Sequence, residues 1–255
     1  MPATTSPGHA SPSVAIVGAG RLGTALARAL GAAGVEVEGP LGRGAEPRSG
    51  IVLLCVPDGE IARAAERVGK RFVGHVSGAT PLTALAASGG EAFGLHPLQT
   101  FAGGEGAEAF AGVGCAIAGT TPAALAVAHD LAERLAMTPI EISDGERAAY
   151  HAAASIASNF LVTLQAAAEE LAAGAGIEPA DARALLGPLV RSTVDNWIEL
   201  GPAAALTGPV ARGDDATVSC QRDAVEAHAP QLLPLFDALV ERTHALAGRR
   251  EAVAA

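Results

Sequence analysis

The chain has 255 residues, 49% of them hydrophobic, which is enough for one large or two modest domains with a real core. Its formal net charge of −10 argues against a nucleic-acid surface, because such a surface needs a basic face. No apolar stretch approaches the length of a membrane-spanning helix, so we expect no membrane segment.

Residues 1–12 lack a basic segment followed by an apolar block, so they do not resemble a secretory signal, and we expect a disordered tail. The cysteines are scattered, odd in number and without metal-ligand spacing: Cys55, Cys115 and Cys220. We therefore expect a cytoplasmic protein that binds no metal.

A glycine-rich turn, Gly18-Ala19-Gly20-Arg21-Leu22-Gly23, separates an apolar run at 14–17 from a helix-like run at 22–30. In a strand–turn–helix unit, Gly18 permits the turn, Gly20 lets the backbone approach a pyrophosphate, and Gly23 allows close helix packing. The helix N-terminus then offers N–H groups and partial positive charge to the phosphates. We interpret the stretch as a dinucleotide site rather than a plain glycine-rich turn.

The second predicted strand, at 35–38, ends near Gly39-Pro40 without the acidic residue that commonly takes the ribose 2′-hydroxyl of NAD. Arg43 lies just beyond, and a guanidinium suits a 2′-phosphate. This pattern favours NADP(H). The alternative is that Arg43 is a solvated loop charge and that Glu36 or Glu38 binds the ribose.

Strands and helices alternate up to Ser143, and helical periodicity dominates from Asp144. Further strands are predicted at 50–57, 72–77, 93–97, 114–118 and 139–143, and breaks between the later helices at 174–176, 187–188, 201–202 and 208–209. The sequence predicts an α/β fold with a doubly wound Rossmann domain over 13–143 and an all-α domain over 144–255. The cleft between them is the expected active site.

Polar residues follow the predicted strand ends, where open α/β sheets bind ligands. Val56 and Pro57 are predicted to line the nicotinamide ribose, and Asp58 to cap the next helix. Cys55 is interpreted as a buried apolar residue.

Ser77 and His96 stand at two further strand ends, so both are candidates for the same crevice. A histidine suits acid–base work near neutral pH, although it can equally fix a loop through backbone hydrogen bonds. His75 is expected to lie within a strand.

A polar stripe of His151, Ser155, Ser158 and Asn159 runs along a long helix predicted to begin near Glu146. An unsatisfied buried polar group costs about 1–3 kcal/mol, so the stripe lines a wet cleft or bonds to a neighbouring helix. We favour the cleft.

Arg212 lies in a turn-rich segment at 206–214, where a fixed guanidinium can clamp a substrate carboxylate or form a packing salt bridge. Asp214 or Asp215 is predicted to cap the next helix, and Trp197 to lie in the core.

The chain resembles Rossmann-like short-subunit dehydrogenases whose helical second half is catalogued as a domain of unknown function. The signatures that carry the resemblance lie at 18–23, 56–58, 75–78, 96–101, 150–154, 158–159 and 206–214. This family is similar to ketopantoate reductase, prephenate dehydrogenase and pyrroline-5-carboxylate reductase, which share a dinucleotide domain and a 6-phosphogluconate-dehydrogenase-like helical domain. The resemblance implies hydride transfer with NADP(H) and a homodimer formed through the helical domain.

Ketopantoate reductases use a lysine and an asparagine close together on the first long interdomain helix. Asn159 matches the asparagine, but Ser155 stands where the lysine is wanted, and a hydroxyl is too weak an acid to replace it. The resemblance therefore implies His151 or His96 as the acid. His96-Pro97 is similar to the histidine–proline pair of prephenate dehydrogenases, whose histidine contacts the reacting oxygen.

The residues and the resemblance together predict an NADP(H)-dependent reductase of a small 2-oxo acid, with ketopantoate as the first candidate. The substrate is expected between Ser77, His96, His151, Asn159 and Arg212, with a histidinium stabilising the developing alkoxide. The alternatives are a prephenate-type dehydrogenase, an imine reductase and a non-catalytic NADP(H)-binding sensor.

Overall fold

The structure is a computed structural model that describes residues 13–254, with side chains described up to residue 248. The predicted tail at 1–12 lies outside the described residues. The chain divides into two compact units, the first ending at Ser158 and the second beginning at Asn159. The first unit therefore also contains the helix Arg147–Ala157, which the sequence analysis assigned to the helical domain.

The first unit is built on one seven-stranded sheet with the order β2-β1-β3-β4-β5-β6-β7. Its strands are β1 (Ser13–Val17), β2 (Glu36–Leu41), β3 (Ile51–Leu54), β4 (Phe72–His75), β5 (Glu91–Pro97), β6 (Gly114–Gly119) and β7 (Thr138–Glu141). The first five strands are parallel, and their order reverses between β1 and β3. The predicted α/β doubly wound fold is confirmed.

Three α-helices accompany the strands: α1 (Arg21–Ala32), α2 (Ile61–Ala65) and α3 (Pro122–Arg134). Alternation along β1 assigns Val14 and Ile16 to one hydrophobic cluster with α1 and α3, and Ala15 and Val17 to a second cluster with α2. A period of two directs successive side chains to opposite faces, so both faces of the sheet are buried.

Strand β6 runs antiparallel to β5, so the sheet is mixed. A parallel return usually needs a crossover helix, and the connection between Pro97 and Gly114 contains only a short 3-10 turn at Ala107–Ala109. A longer 3-10 helix, Leu82–Ser88, lies between β4 and β5.

Strand β2 continues through Gly39 and Pro40 and ends at Leu41, one residue beyond the Gly39-Pro40 pair near which its end was predicted. Pro40 cannot donate to a sheet ladder, but β2 is an edge strand with a partner on one side only. The strand therefore extends into the loop that carries Arg43.

The remaining helices are α4 (Arg147–Ala157), α5 (Asn159–Gly174), α6 (Pro179–Leu200), α7 (Pro202–Ala205), α8 (Pro209–Arg212), α9 (Asp215–His228) and α10 (Leu233–Ala254). The expected breaks at 174–176, 201–202 and 208–209 are confirmed. The break at 187–188 is wrong, because α6 continues through Pro188. Glycine followed by proline usually interrupts a helix, but here the surrounding helix of 22 residues continues through both.

The polar stripe does not lie on one continuous helix, because α4 ends at Ala157 and α5 starts at Asn159. Asp214 caps α9 by accepting a hydrogen bond from the Thr217 N–H, as predicted. Trp197 is 54% exposed, so its predicted core position is wrong.

Candidate active site

The glycine-rich turn lies at the carboxyl end of β1, beside the carboxyl end of β3. A Cβ on Gly18, whose φ is +118°, would lie 2.2 Å from the Cys55 carbonyl oxygen. A Cβ on Gly23 would lie 2.1 Å from the Gly18 carbonyl oxygen, whereas one on Gly20 would meet no protein atom within 4 Å. Gly18 and Gly23 are thus required for packing, while the backbone at Gly20 stays open to a ligand.

A cavity of about 340 Å³ opens at this topological switch point, the usual ligand position in doubly wound sheets. Its lining includes Gly18, Ala19, Gly20, Arg43, Val56 and Pro57 from the predicted cofactor set. Arg21 lines a neighbouring cavity of about 270 Å³, and Leu22 packs against the core.

Two arginines that the sequence analysis missed, Arg63 and Arg67, line the same cavity as Arg43. Glu60 connects Arg43 and Arg63, at N···O distances of 3.0 and 3.2 Å. The cavity wall is therefore cationic, and one carboxylate partly neutralises it. Arg63 lies on α2 and Arg67 in the turn that follows it, and their local sequence does not distinguish them from solvated charges.

The carboxylate of Glu38, the alternative ribose ligand, already has hydrogen-bond partners within the protein. Its Oε2 accepts hydrogen bonds from the backbone N–H groups of Arg48 and Ser49 and from the Ser49 hydroxyl. The Ser49 N–H bond lowers the pKa of this carboxyl, which favours its ionised form. Glu38 thus fixes the loop after β2.

Asp58 does not cap a helix as expected, since Pro57 takes the cap position. Its Oδ2 instead accepts a 2.8 Å hydrogen bond from the Ser77 hydroxyl, whose oxygen accepts the N–H groups of Ala79 and Thr80. Ser77 is therefore held in a turn at the end of β4, with its hydroxyl proton engaged.

A histidine cluster, defined as His96 and His151 with Tyr150, lies in the first unit. His96 is on β5, while Tyr150 and His151 are on α4. The ring centroids of His96 and His151 are 5.9 Å apart at an interplanar angle of 74°. His96 Nδ1 lies 2.8 Å from the Tyr150 hydroxyl.

Gly78 marks the point where the two catalytic candidates converge. The position of a Cβ on Gly78 lies 2.7 Å from His151 Nδ1 and 2.9 Å from His96 Nε2. Both nitrogens thus lie beside the α-carbon of Gly78, where any larger residue would displace them. His151 Nδ1 is buried and has no hydrogen-bond partner among the described residues.

Burial, assisted by the charges of His151 and Arg147, lowers the pKa of His96 to about 4. His96 is therefore a neutral imidazole near pH 7. Burial also raises the pKa of Tyr150 to about 12, which keeps its phenol protonated.

His75 is fully buried at the end of β4, and burial followed by the charge of Arg147 lowers its pKa to about 4. Its Nδ1 accepts the Ser77 N–H, while its Nε2 has no partner among the described side chains and backbone. It is the last residue of β4, so its predicted position in a strand is confirmed. The bond to Ser77 indicates that His75 supports the turn.

Arg147 is the buried cation of this region, 2% exposed, and the sequence analysis missed it. Its guanidinium donates to Asp144 Oδ1 at 2.8 Å and to the Ser77 carbonyl at 3.2 Å. Asp144 Oδ2 accepts the Leu82 N–H. Arg147 thus connects the start of α4 to the turn after β4, which holds the histidines near Gly78.

Among the described residues, the other predicted site side chains, Ser155, Asn159 and Arg212, form no hydrogen bond with this cluster. Ser155 is half-buried on α4. Asn159 and Arg212 belong to the second unit and are exposed. Arg212 forms no ion pair with the described residues, so the packing salt bridge is absent there.

Burial raises the pKa of Cys55 to about 12, so its thiol is not a nucleophile at neutral pH, as expected. Among the described side chains, no three His, Cys, Asp or Glu residues are grouped to hold a metal ion. Within residues 13–254, no helix combines the length and the apolar character needed to cross a bilayer.

The second half of the chain matches a family model described as "Domain of unknown function (DUF2520)" over residues 113–243, just over half of the sequence. No curated protein matches the sequence significantly.

Solved structures share the fold at low sequence identity. A Bacteroides fragilis protein, provisionally described as an NADP oxidoreductase, is 21% identical with a TM-score of 0.77, over 92% of this chain and 98% of that one. A Thermotoga maritima protein named without an activity is 23% identical with a TM-score of 0.76, over 93% and 99%. Plasmodium falciparum pyrroline carboxylate reductase with NADP bound is 10% identical with a TM-score of 0.58, over 92% and 98%.

Proposed function

Because this chain belongs to the DUF2520 family, whose description states no reaction, we propose its function from its own site: an NADP(H)-dependent oxidoreductase that reduces the carbonyl group of a small 2-oxo acid. Ketopantoate is the first candidate substrate. The observation that carries the proposal is the convergence of His96 Nε2 and His151 Nδ1 at Gly78, in the unit that carries the glycine-rich cavity.

The cofactor follows from the shape and charge of the cavity. Open backbone at Gly20 and the N-terminus of α1 suit a pyrophosphate, and Arg43, Arg63 and Arg67 suit the 2′-phosphate of NADP(H). The NADP-bound pyrroline carboxylate reductase of similar fold supports this choice. When bound, NADPH supplies the hydride, and the protein positions the acceptor and its charge.

The proposed chemistry depends on the imidazoles of His96 and His151, which both lie beside Gly78. In our proposal the carbonyl oxygen lies between His96 Nε2 and His151 Nδ1 and accepts hydrogen bonds that strengthen as negative charge develops. His151 supplies the proton, since His96 is neutral near pH 7.

The depressed pKa of His96 also favours a carbonyl substrate over an imine. It reports surroundings that disfavour positive charge, through burial and the nearby Arg147 cation. An iminium ion would carry positive charge into this region, whereas an alkoxide carries negative charge. The electrostatics therefore favour 2-oxo acid reduction.

Replacing either histidine of the convergence point tests the proposal. We expect His96→Ala and His151→Ala each to lower kcat with 2-oxo acids by about 100-fold or more, the usual contribution of such groups. The NADPH dissociation constant should change little, because neither side chain lines the cofactor cavity.

The matched control is His129→Ala, which removes an exposed histidine of α3 paired with Glu133. Unchanged turnover in both site variants would contradict the assignment. Tight NADPH binding without turnover of any 2-oxo acid by the wild-type protein would favour the sensor alternative.

Arg43 is expected to determine the choice between NADPH and NADH. Arg43→Ala should weaken NADPH binding about tenfold, the value of one charge-assisted hydrogen bond, and leave NADH binding unchanged. Calorimetric titration with both cofactors measures this. Arg48→Ala is the control, because Arg48 pairs with Glu38 outside the cavity. An equal loss for both cofactors would show that Arg43 does not contact the 2′-phosphate.

We also propose a homodimer formed through the helical second unit. Among the described residues of that unit, the buried apolar side chains are only Ala182, Val225 and Ala229. Large apolar side chains are exposed instead: Phe160, Val162, Leu185, Leu189, Trp197, Ile198, Leu200 and Leu239. A symmetric interface would bury such a surface.

The three free cysteines fit a reducing compartment, which we propose to be the cytoplasm.

A further inference from the structure

We propose that Tyr150 is a positioning residue that holds His96 in the tautomer protonated at Nε2, so that His96 donates a hydrogen bond to the substrate oxygen. The inference rests on the proposed function and specifies how one of its two imidazoles is prepared. It assigns His96 the role of a donor, and leaves proton transfer to His151.

The geometry of the pair supports a specific hydrogen bond. His96 Nδ1 lies 2.8 Å from the Tyr150 hydroxyl, and the two rings meet edge to face, with centroids 5.5 Å apart and an interplanar angle of 89°. Among the described residues, this is the only side-chain hydrogen bond that the His96 ring makes.

The direction of the hydrogen bond follows from the protonation states of both partners. The Tyr150 phenol is protonated, because burial raises its pKa to about 12, and His96 is neutral, because burial lowers its pKa to about 4. A neutral imidazole has one N–H and one acceptor nitrogen, and a phenol is the stronger donor of the two groups. Tyr150 therefore donates to Nδ1.

The consequence lies at the other ring nitrogen. When Nδ1 accepts, the proton of the neutral ring must be on Nε2, because the partner of one nitrogen sets the state of the other. Nε2 is the nitrogen that lies 2.9 Å from the Cβ position of Gly78. The pair thus presents an N–H, and not a lone pair, to the convergence point.

The charged neighbours of His96 do not replace this function. His151, Arg147 and Asp58 act on His96 through their charge, and Cys115 lies on the adjacent strand β6. Charge alone changes the protonation of the ring but does not choose between its two nitrogens. Only a directed hydrogen bond to one nitrogen makes that choice.

The test combines Tyr150→Phe with nitrogen NMR of the protein labelled with ¹⁵N-histidine. The substitution keeps the aromatic ring and its edge contact with His96 and removes only the hydroxyl. In the wild-type protein near pH 7, we expect His96 to show a protonated Nε2 and an unprotonated Nδ1. In Tyr150→Phe, we expect a mixture of both tautomers.

The kinetic counterpart is a fall in kcat of about tenfold, with the NADPH dissociation constant unchanged, since Tyr150 does not line the cofactor cavity. Ile156→Ala, an exposed position on the same helix, is the control and should leave both values unchanged.

A wild-type His96 protonated at Nδ1 would overturn the inference, as would a Tyr150→Phe protein with the wild-type tautomer. The NMR result does not depend on turnover, so it separates this inference from the proposed function. If Tyr150→Phe does not fold, the tautomer of the wild-type protein decides the question alone.

Discussion

Gly78→Ala is expected to abolish most of the catalytic activity without weakening cofactor binding. An added Cβ would lie 2.7 Å from His151 Nδ1 and 2.9 Å from His96 Cε1 and Nε2, so both imidazoles would have to move. Loss of well-placed donors to a developing oxyanion costs about 100-fold or more in kcat. Steady-state kinetics with a 2-oxo acid, together with NADPH titration, measures the two effects.

The matched control for this glycine is Gly69→Ala. A Cβ at Gly69 meets nothing within 4 Å, and its φ is not in the left-handed region, so the same chemical change should be silent there. If Gly78→Ala retained wild-type kcat, the substrate oxygen would not lie between the two histidines.

Arg147→Met is expected to lower the free energy of unfolding of the protein by about 3 kcal/mol. Removing one partner of a buried ion pair leaves polar groups without partners, here the Ser77 carbonyl and one bond of Asp144. Urea denaturation followed by circular dichroism measures the change. The substitution should also raise the pKa of His96, because the Arg147 charge contributes to its depression.

Arg134→Met provides the comparison for that loss of stability. Arg134 donates to Asp130 at 2.7 Å in an exposed pair four residues apart on α3, and such pairs contribute at most about 0.5 kcal/mol. Equal losses in the two variants would show that Arg147 does not connect α4 to the β4 turn in solution.

The part of the site that the sequence predicted well is the part encoded by local geometry. Gly18 and Gly23 stand where a Cβ would collide with backbone, so their positions follow from the strand–turn–helix unit itself. The apolar run at 51–54 likewise identifies a strand buried on both faces, β3. His96 was predicted as a candidate because strand ends at the same sheet edge converge.

Features that depend on distant partners were not predictable. Asp58 has the sequence context of a helix cap, but it binds Ser77, which lies on another strand end. The local sequence of Arg147, near a helix start, is typical of a solvated charge. Its partner, the Ser77 carbonyl in the turn after β4, is distant in sequence. Tyr150 falls within the signature at 150–154, but its hydrogen bond to His96 depends on the position of strand β5.

The exposed apolar side chains of the second unit were not predicted, for a different reason. Trp197, a large apolar residue, was predicted to lie in the core. Periodicity shows that a face is apolar but not whether the same chain covers it, and Trp197 is 54% exposed. A second copy of the chain is the covering partner that we propose.

The central claim is hydride transfer from NADPH to the carbonyl carbon of a 2-oxo acid, and isotope transfer tests it most directly. The protein is incubated with NADPH carrying deuterium at the transferable position of the nicotinamide and with ketopantoate or related 2-oxo acids, and the product is analysed by mass spectrometry. We predict one deuterium on the former carbonyl carbon, formed in step with the loss of NADPH absorbance. NADPH that binds tightly but transfers no deuterium to any 2-oxo acid would contradict the claim.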